Sequence, residues 1–281
     1  MFYERNKILT MLEQQQIPLG IQCLTGHTAL IEVMGATGFD FVMFDAEHSG
    51  NNARAMEELV RAATVAGLAS YIRVPDPHNE TDVTRALETG AEGLVLPEVH
   101  SVDDINAAAK AAYFYPKGDR SICPSTRSAN YNFRRFVEFT ERNNRAVTLV
   151  PEIENPDGVA QIDQICAHPD VHMIIFGQGD LAFSRGEGNA MDQGAQTAKD
   201  YRTVVAVAKE HDVAVIGGPV LVPTAAACRK ALQDGVTVFC LGLDSMAFRS
   251  WCESTVRALA EGVKGASEWS RPPVPESGFP D

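Results

Sequence analysis

The chain is short of several things, and each shortage excludes a class of protein. Basic residues number 24 against 37 acidic ones, giving 281 residues a formal net charge of −13. Such a surface repels nucleic-acid phosphates and anionic membranes, so neither is expected as a partner. No apolar run approaches the ~20 residues that a spanning helix needs. The opening MFYERNKILTMLEQQQ lacks a signal-peptide core, and a cytoplasmic location is expected. The six cysteines (Cys23, Cys123, Cys166, Cys228, Cys240 and Cys252) form no CxxC pair and no metal-like spacing. Several lie in apolar runs, as Cys240 does in VTVFCLGL, and they are read as buried, reduced thiols. There is no GxSxG, which disfavours a serine hydrolase.

What is present is a repeating pattern. With 45% apolar and 22% charged residues, the chain can bury a large core. Eight β-rich apolar runs recur: LGIQCL (19–24), FDFVMFD (39–45), ASYIRVP (69–75), GLVLPEV (93–99), AVTLVPEIE (146–154), VHMIIFG (171–177), VAVIGGP (213–219) and VTVFCLGL (236–243). They are continuous rather than alternating, as in parallel strands covered on both faces. Amphipathic stretches lie between them; in NNARAMEELVRAATVAGL (51–68), Met56, Leu59, Val60 and Ala63 share one helical face. Gly38, Gly90 and Gly235 each stand between a helical pattern and a strand, where a left-handed cap is expected. Eight βα units in this length predict a (β/α)8 TIM barrel. A doubly wound open sheet would carry a GxGxxG after its first strand, where TGHTAL stands instead. We place the barrel domain at 1–265, including an N-terminal helix before the first strand, and a Pro-rich tail at 266–281 that is extended, poorly ordered or docked on a neighbour. The stretch 113–145 is too long for a simple connection and should hold an irregular loop and an extra helix.

Chemistry in such a barrel sits at the carboxyl ends of the strands. There the chain places Asp45, Glu47 and His48, then Arg73, Glu98 and His100, then Glu152 and Glu154, then Gln178 and Asp180, and finally Asp244. Glu154 and Asp180 are either ligands for a hard divalent cation or helix caps. Arg73 needs an anion, from the protein or from a substrate. Asp45 and His48 are either an oriented general base or part of a helix start. The seven lysines all fall in helical or loop segments, which disfavours a Schiff-base nucleophile at a strand end.

Taken in order, FDFVMFDAEHS, YIRVP, YFYPKGDRS, LVPEIENPDG, IIFGQGDLAFS and VFCLGLDS resemble the HpcH/HpaI family of metal-dependent class II pyruvate aldolases, over residues 18–262. The resemblance implies a barrel of the phosphoenolpyruvate/pyruvate-domain type, and cleavage of a 4-hydroxy-2-oxo acid to pyruvate and an aldehyde. It implies His48 and Asp45 as a base dyad, Arg73 on the keto-acid oxygens, and Glu154 and Asp180 as ligands of Mg²⁺, Mn²⁺ or Co²⁺. Gly177, Gln178 and Gly179 would hold the pyruvate carboxylate at a helix start. Glu152 and Arg120 would line the substrate pocket, and Glu47 would support metal-bound waters. It also implies a homo-oligomer, a hexamer built as a trimer of dimers, with a C-terminal helix that either swaps between subunits or covers its own barrel. Glu152 and Gln178 depart from the family's usual amide or apolar residue and proline, and Cys123 and Pro124 depart after the Arg120 motif. The alternatives are a citrate-lyase-β-like CoA-ester lyase, an oxaloacetate decarboxylase and a non-catalytic barrel.

Overall fold

The computed structural model describes residues 5–187, 194–218 and 223–265. Eight strands close into one parallel barrel in chain order: β1 (Leu19–Cys23), β2 (Phe41–Asp45), β3 (Ala69–Arg73), β4 (Gly93–Leu96), β5 (Thr148–Ile153), β6 (Met173–Phe176), β7 (Ala214–Gly217) and β8 (Val238–Leu243). Every expected strand is found. Helices α1 (Lys7–Glu13), α2 (Thr28–Ala36), α3 (Ala53–Val65), α4 (Glu80–Glu88) and α5 (Val102–Ala112) accompany the first half. The long connection after α5 holds an irregular loop and then α6 (Phe136–Ala146), as expected. The second half carries α7 (Pro156–Ala160), α8 (Ile162–Cys166), α9 (Gln178–Ser184), α10 (Ala195–Glu210), α11 (Ala225–Gln233) and α12 (Asp244–Gly262). The proposed tail at 266–281 lies outside the described residues.

Two cores hold the barrel. The larger lies between strands and helices, and α3 contributes the four residues its periodicity selects: Met56, Leu59, Val60 and Ala63. The smaller fills the barrel interior with Phe41, Met43, Tyr71, Val95, Val150 and their neighbours, plus Ile8 from α1. Helix α1 therefore plugs the amino-terminal end. Its cap, Asn6, donates to the carbonyls of Glu92 and Ala146 and accepts from Tyr71 Oη at 2.9 Å. The predicted glycine caps are left-handed, with φ of 95° at Gly38, 88° at Gly90 and 99° at Gly235.

Strand alternation now sets the site. Phe41, Met43, Ala69, Tyr71 and Val150 point into the barrel. The next inward positions along those strands are Asp45, Arg73 and Glu152, because side chains repeat every two residues. The β2–β3 register pairs Asp45 directly with Arg73. One inward layer therefore changes from apolar to ionised at the carboxyl end.

Helix α12 is different from the rest. It meets its own barrel at β1 and β8, and of its residues only Asp244 is buried. Phe248 and Trp251 stack at 5.9 Å between ring centroids and are 64% and 61% exposed. Among the described residues, no helix is long and apolar enough to cross a membrane. All six cysteines are free; Cys23 and Cys166 are buried as expected, whereas Cys123 is exposed.

Candidate active site at the carboxyl end of the barrel

Arg73 is the hub. Its Nη2 donates to Asp45 Oδ2, its Nε lies 3.2 Å from Glu47 Oε2, and its Nη1 lies 3.4 Å from Glu152 Oε2. Burial works against the guanidinium charge, but the hydrogen bond to Asp45 and the charges of Glu152, Asp45 and Glu47 outweigh it and hold the pKa above its ordinary value. Asp45 is fully buried. Burial would raise its pKa; the hydrogen bond from Arg73 and the amides of His48 and Glu47 more than reverse this, and the net shift is downward.

Those contacts correct the expected dyad. Asp45 Oδ1 accepts the backbone N–H of Glu47 at 2.9 Å and of His48 at 3.0 Å, while Oδ2 faces Arg73 and accepts Gln22 Nε2 at 3.1 Å. Both oxygens are occupied, and neither meets the imidazole. The ring instead has Nε2 at 3.6 Å from Glu47 Oε2. Nor does His48 cap the following helix, since Asn52 does so.

The capping alternatives for the acids also fall away. Asn155 caps α7, and Gly177 opens α9 without a side-chain bond. Glu154 turns back to accept the Glu98 N–H at 2.7 Å. Burial raises its pKa to about 8, with help from the charge of Glu152. Burial likewise raises Glu152 to about 7, against the pull of Arg73. Asp180 lies exposed in the first turn of α9, near enough for its charge to raise both. The donors are all oxygen, and their negative charge is compensated by one arginine, which fits a hard divalent cation. Among the described residues no three His, Cys, Asp or Glu side chains converge as a metal cluster, so water and substrate would complete the coordination.

A cleft of about 890 Å³ opens here, lined by Gln22, Arg73, Glu152 and Gln178, and runs outward between α10 and α11. Gln22 was not anticipated; the signal was a single amide inside the apolar run LGIQCL. Arg120 is the second correction. It is buried against the Phe114 ring, with Nη1 3.4 Å from Asn143 Oδ1. It feels Glu88, and burial lowers its pKa to about 10. Glu88 ends α4 and Asn143 lies in the last turn of α6, so Arg120 sits at the amino-terminal end of the barrel, away from the cleft. Asp244 serves barrel closure, accepting Leu24 N–H at 3.0 Å and facing Thr25 Oγ1. His100 Nδ1 pairs with Asp157 at 3.2 Å.

Comparisons with known proteins agree with this fold. The profile of the HpcH/HpaI aldolase/citrate lyase family matches residues 23–250. A 5-keto-4-deoxy-D-glucarate aldolase from Klebsiella pneumoniae is 28% identical over 262 residues, covering 92% of this chain and 97% of the relative. Among solved structures, an HpcH/HpaI aldolase/citrate lyase family protein from Burkholderia cenocepacia superposes with a TM-score of 0.80 at 26% identity, covering 92% of this chain and all of that one. The citrate synthase SbnG superposes with a TM-score of 0.78, also at 26% identity, covering 91% and 98%.

Proposed function

The chain belongs to the HpcH/HpaI aldolase/citrate lyase family, and on that premise we propose that it is a divalent-metal-dependent aldolase that reversibly cleaves a 4-hydroxy-2-oxo acid to pyruvate and an aldehyde. The observation that carries this reading is the carboxylate set around Arg73, with Glu152, which lines a cleft that reaches the surface, pushed up to about 7, and the neighbouring Glu154 to about 8. Glu154 and Asp180 would hold Mg²⁺, Mn²⁺ or Co²⁺, which when bound supplies Lewis-acid stabilisation of the pyruvate enolate.

The chain's own groups do the rest. Arg73, held in place by three carboxylates, directs guanidinium donors toward the keto-acid oxygens. His48, exposed in the turn that follows β2 at the carboxyl end of the barrel, takes the C4 hydroxyl proton. The C3–C4 bond then breaks, its electron pair passing to C3, and the aldehyde leaves. Gln178 lines the cleft beside the opening turn of α9, where backbone amides suit a carboxylate. Glu152 adds a buried carboxylate to the cleft wall beside Arg73, favouring an aldehyde that carries hydroxyl groups rather than a second negative charge.

The test is an aldol screen with pyruvate, many aldehydes and each metal, read as pyruvate consumption. Consumption that is metal-dependent and aldehyde-dependent is expected. Its absence with every metal would overturn the reading. A second reading, a CoA-ester lyase, draws on Arg202, Lys209 and Lys230 lining the outer arm of the cleft; CoA esters belong in the same screen.

Gly177 offers a local check on the ligands. An added Cβ would lie 2.4 Å from Glu154 Cβ and 2.8 Å from its Oε2. Gly177→Ala should displace Glu154 and weaken cation binding roughly 10-fold by calorimetry; unchanged affinity would remove Glu154 from the ligand set. We also infer that the exposed Phe248–Trp251 face of α12 is covered by a second copy of the chain, within the expected hexamer. A monomer in sedimentation velocity at micromolar concentration would contradict this.

A further inference from the structure

The DAEHS turn carries two carboxylates next to one imidazole, and the structure gives them different tasks. Asp45 is saturated: two backbone N–H groups, Arg73 and Gln22 occupy both its oxygens. Glu47 is the reverse. Its Oε2 is buried, has no hydrogen-bond partner, and lies 3.2 Å from Arg73 Nε and 3.6 Å from His48 Nε2. A single oxygen therefore stands between the guanidinium and the ring. The ring is open to solvent, with its side chain 67% exposed against 18% for Glu47.

We propose that Glu47 is the positioning residue for His48, its Oε2 linking the imidazole to the Arg73 guanidinium and turning Nδ1 toward the substrate. This rests on the aldolase reading above. With Nε2–H aimed at Glu47, the free lone pair is on Nδ1. In the cleavage direction the hydroxyl O–H bond breaks and its proton passes to Nδ1. The O–H electron pair becomes the second bond of the aldehyde carbonyl, and the C3–C4 pair remains on C3 as the enolate. The imidazolium that results is positive on both nitrogens, and Glu47 then closes from ion-pair to hydrogen-bond distance. Because Arg73 holds the same oxygen, the base and the anion holder keep a fixed separation. A near-attack geometry needs this, since small misplacements of reacting groups cost orders of magnitude.

Charged groups from several elements surround the pair. Arg73 comes from β3 and Glu98 from the loop after β4; Glu152 and Glu154 lie on and just after β5, and Asp45 ends β2. Of these, the group within ion-pair distance of the His48 ring is Glu47. Removing its charge should therefore release the ring from that orientation.

The variant is Glu47→Gln, which keeps the volume and one acceptor oxygen. Arg73 retains Asp45 and Glu152, so the fold should survive; circular dichroism and thermal melting check this. Two readouts are expected. The ring ¹⁵N chemical shifts of His48, assigned with His48→Gln, should show the Nε2-protonated tautomer in the wild type and lose that preference in the variant. In parallel, kcat should drop roughly 10²-fold with KM for the oxo acid changed no more than about twofold, and Glu47→Asp should recover part of the loss. An unchanged His48 tautomer in the variant would overturn the proposal. So would a loss confined to KM. The ring ¹⁵N shifts need no substrate, so a wild-type protein inactive in the aldol screen would sink the aldolase reading while leaving the Glu47–His48 link to be decided by NMR.

Discussion

Arg73→Ala should destabilise the protein by about 3–5 kcal/mol, because breaking a buried ion pair strands its partner. Asp45 is fully buried and would keep only Gln22 and two backbone amides. Glu152, also buried, would lose its cationic neighbour and be left beside Glu47 and Asp180. The variant should also lose roughly 10³-fold in kcat/KM, since among the described residues Arg202, the other arginine lining the cleft, lies on its outer arm in α10 and cannot replace Arg73 at the developing oxyanion. Arg73→Lys should fall between, because a point charge cannot serve three carboxylates as a planar fork does. Chemical denaturation and steady-state kinetics read the two effects separately. Asp45→Asn combined with Arg73→Ala should be more stable than Arg73→Ala alone, as the stranded charge is gone. If Arg73→Ala melts within about 1 kcal/mol of wild type, the hub is not what holds this end of the barrel.

The second large effect concerns metal and pH. Glu152 and Glu154 have folded-state pKa values raised from 4.5 to about 7 and about 8. The folded apoprotein therefore binds more protons than the unfolded chain between about pH 4.5 and pH 8. Stability falls as pH rises wherever the native state holds the extra protons. The contribution from these two groups is complete below 4.5 and is lost as pH passes about 7 and then about 8. A bound divalent cation reverses the trend, because it needs the ionised carboxylates and displaces their protons. Thermal melts of metal-stripped protein should thus fall from pH 5 to pH 8, while melts with excess Mn²⁺ should stay level, so that the gap widens with pH. Asp180→Ala should weaken Mn²⁺ binding roughly 10²-fold and shrink the gap. Melts that Mn²⁺ leaves unmoved at pH 8, or full turnover of Asp180→Ala in EDTA, would remove the metal from the account.

Much of this was legible in the chain itself. Continuous apolar runs separated by helical periodicity, with Gly38, Gly90 and Gly235 at the junctions, led to the eight strands that close the barrel. The order of strand-end motifs led to the family. These signals are local: a strand's period, a cap's φ and a polar residue ending an apolar run each depend on a few neighbouring residues. Asp45, Glu47, Arg73, Glu152 and Glu154 could be placed at one rim because the barrel brings every strand end there.

Which of those groups meet was decided only in three dimensions. Asp45 and His48 are three residues apart and looked like partners, yet the β2–β3 register sets Asp45 opposite Arg73 and exhausts its oxygens. The imidazole is left to Glu47, because side-chain directions within a turn follow its dihedral angles and not its spacing. Arg120 carries a family-like motif but lies under the long connection at the opposite end, among Phe114, Asn143 and Glu88. Gln22 entered the cleft through the closure of β1 against β2, which no local pattern records. Sequence thus determined the barrel and the composition of its rim, since both follow from short-range periodicity. Tertiary structure decided the pairings, since each depends on the register between strands distant in the chain.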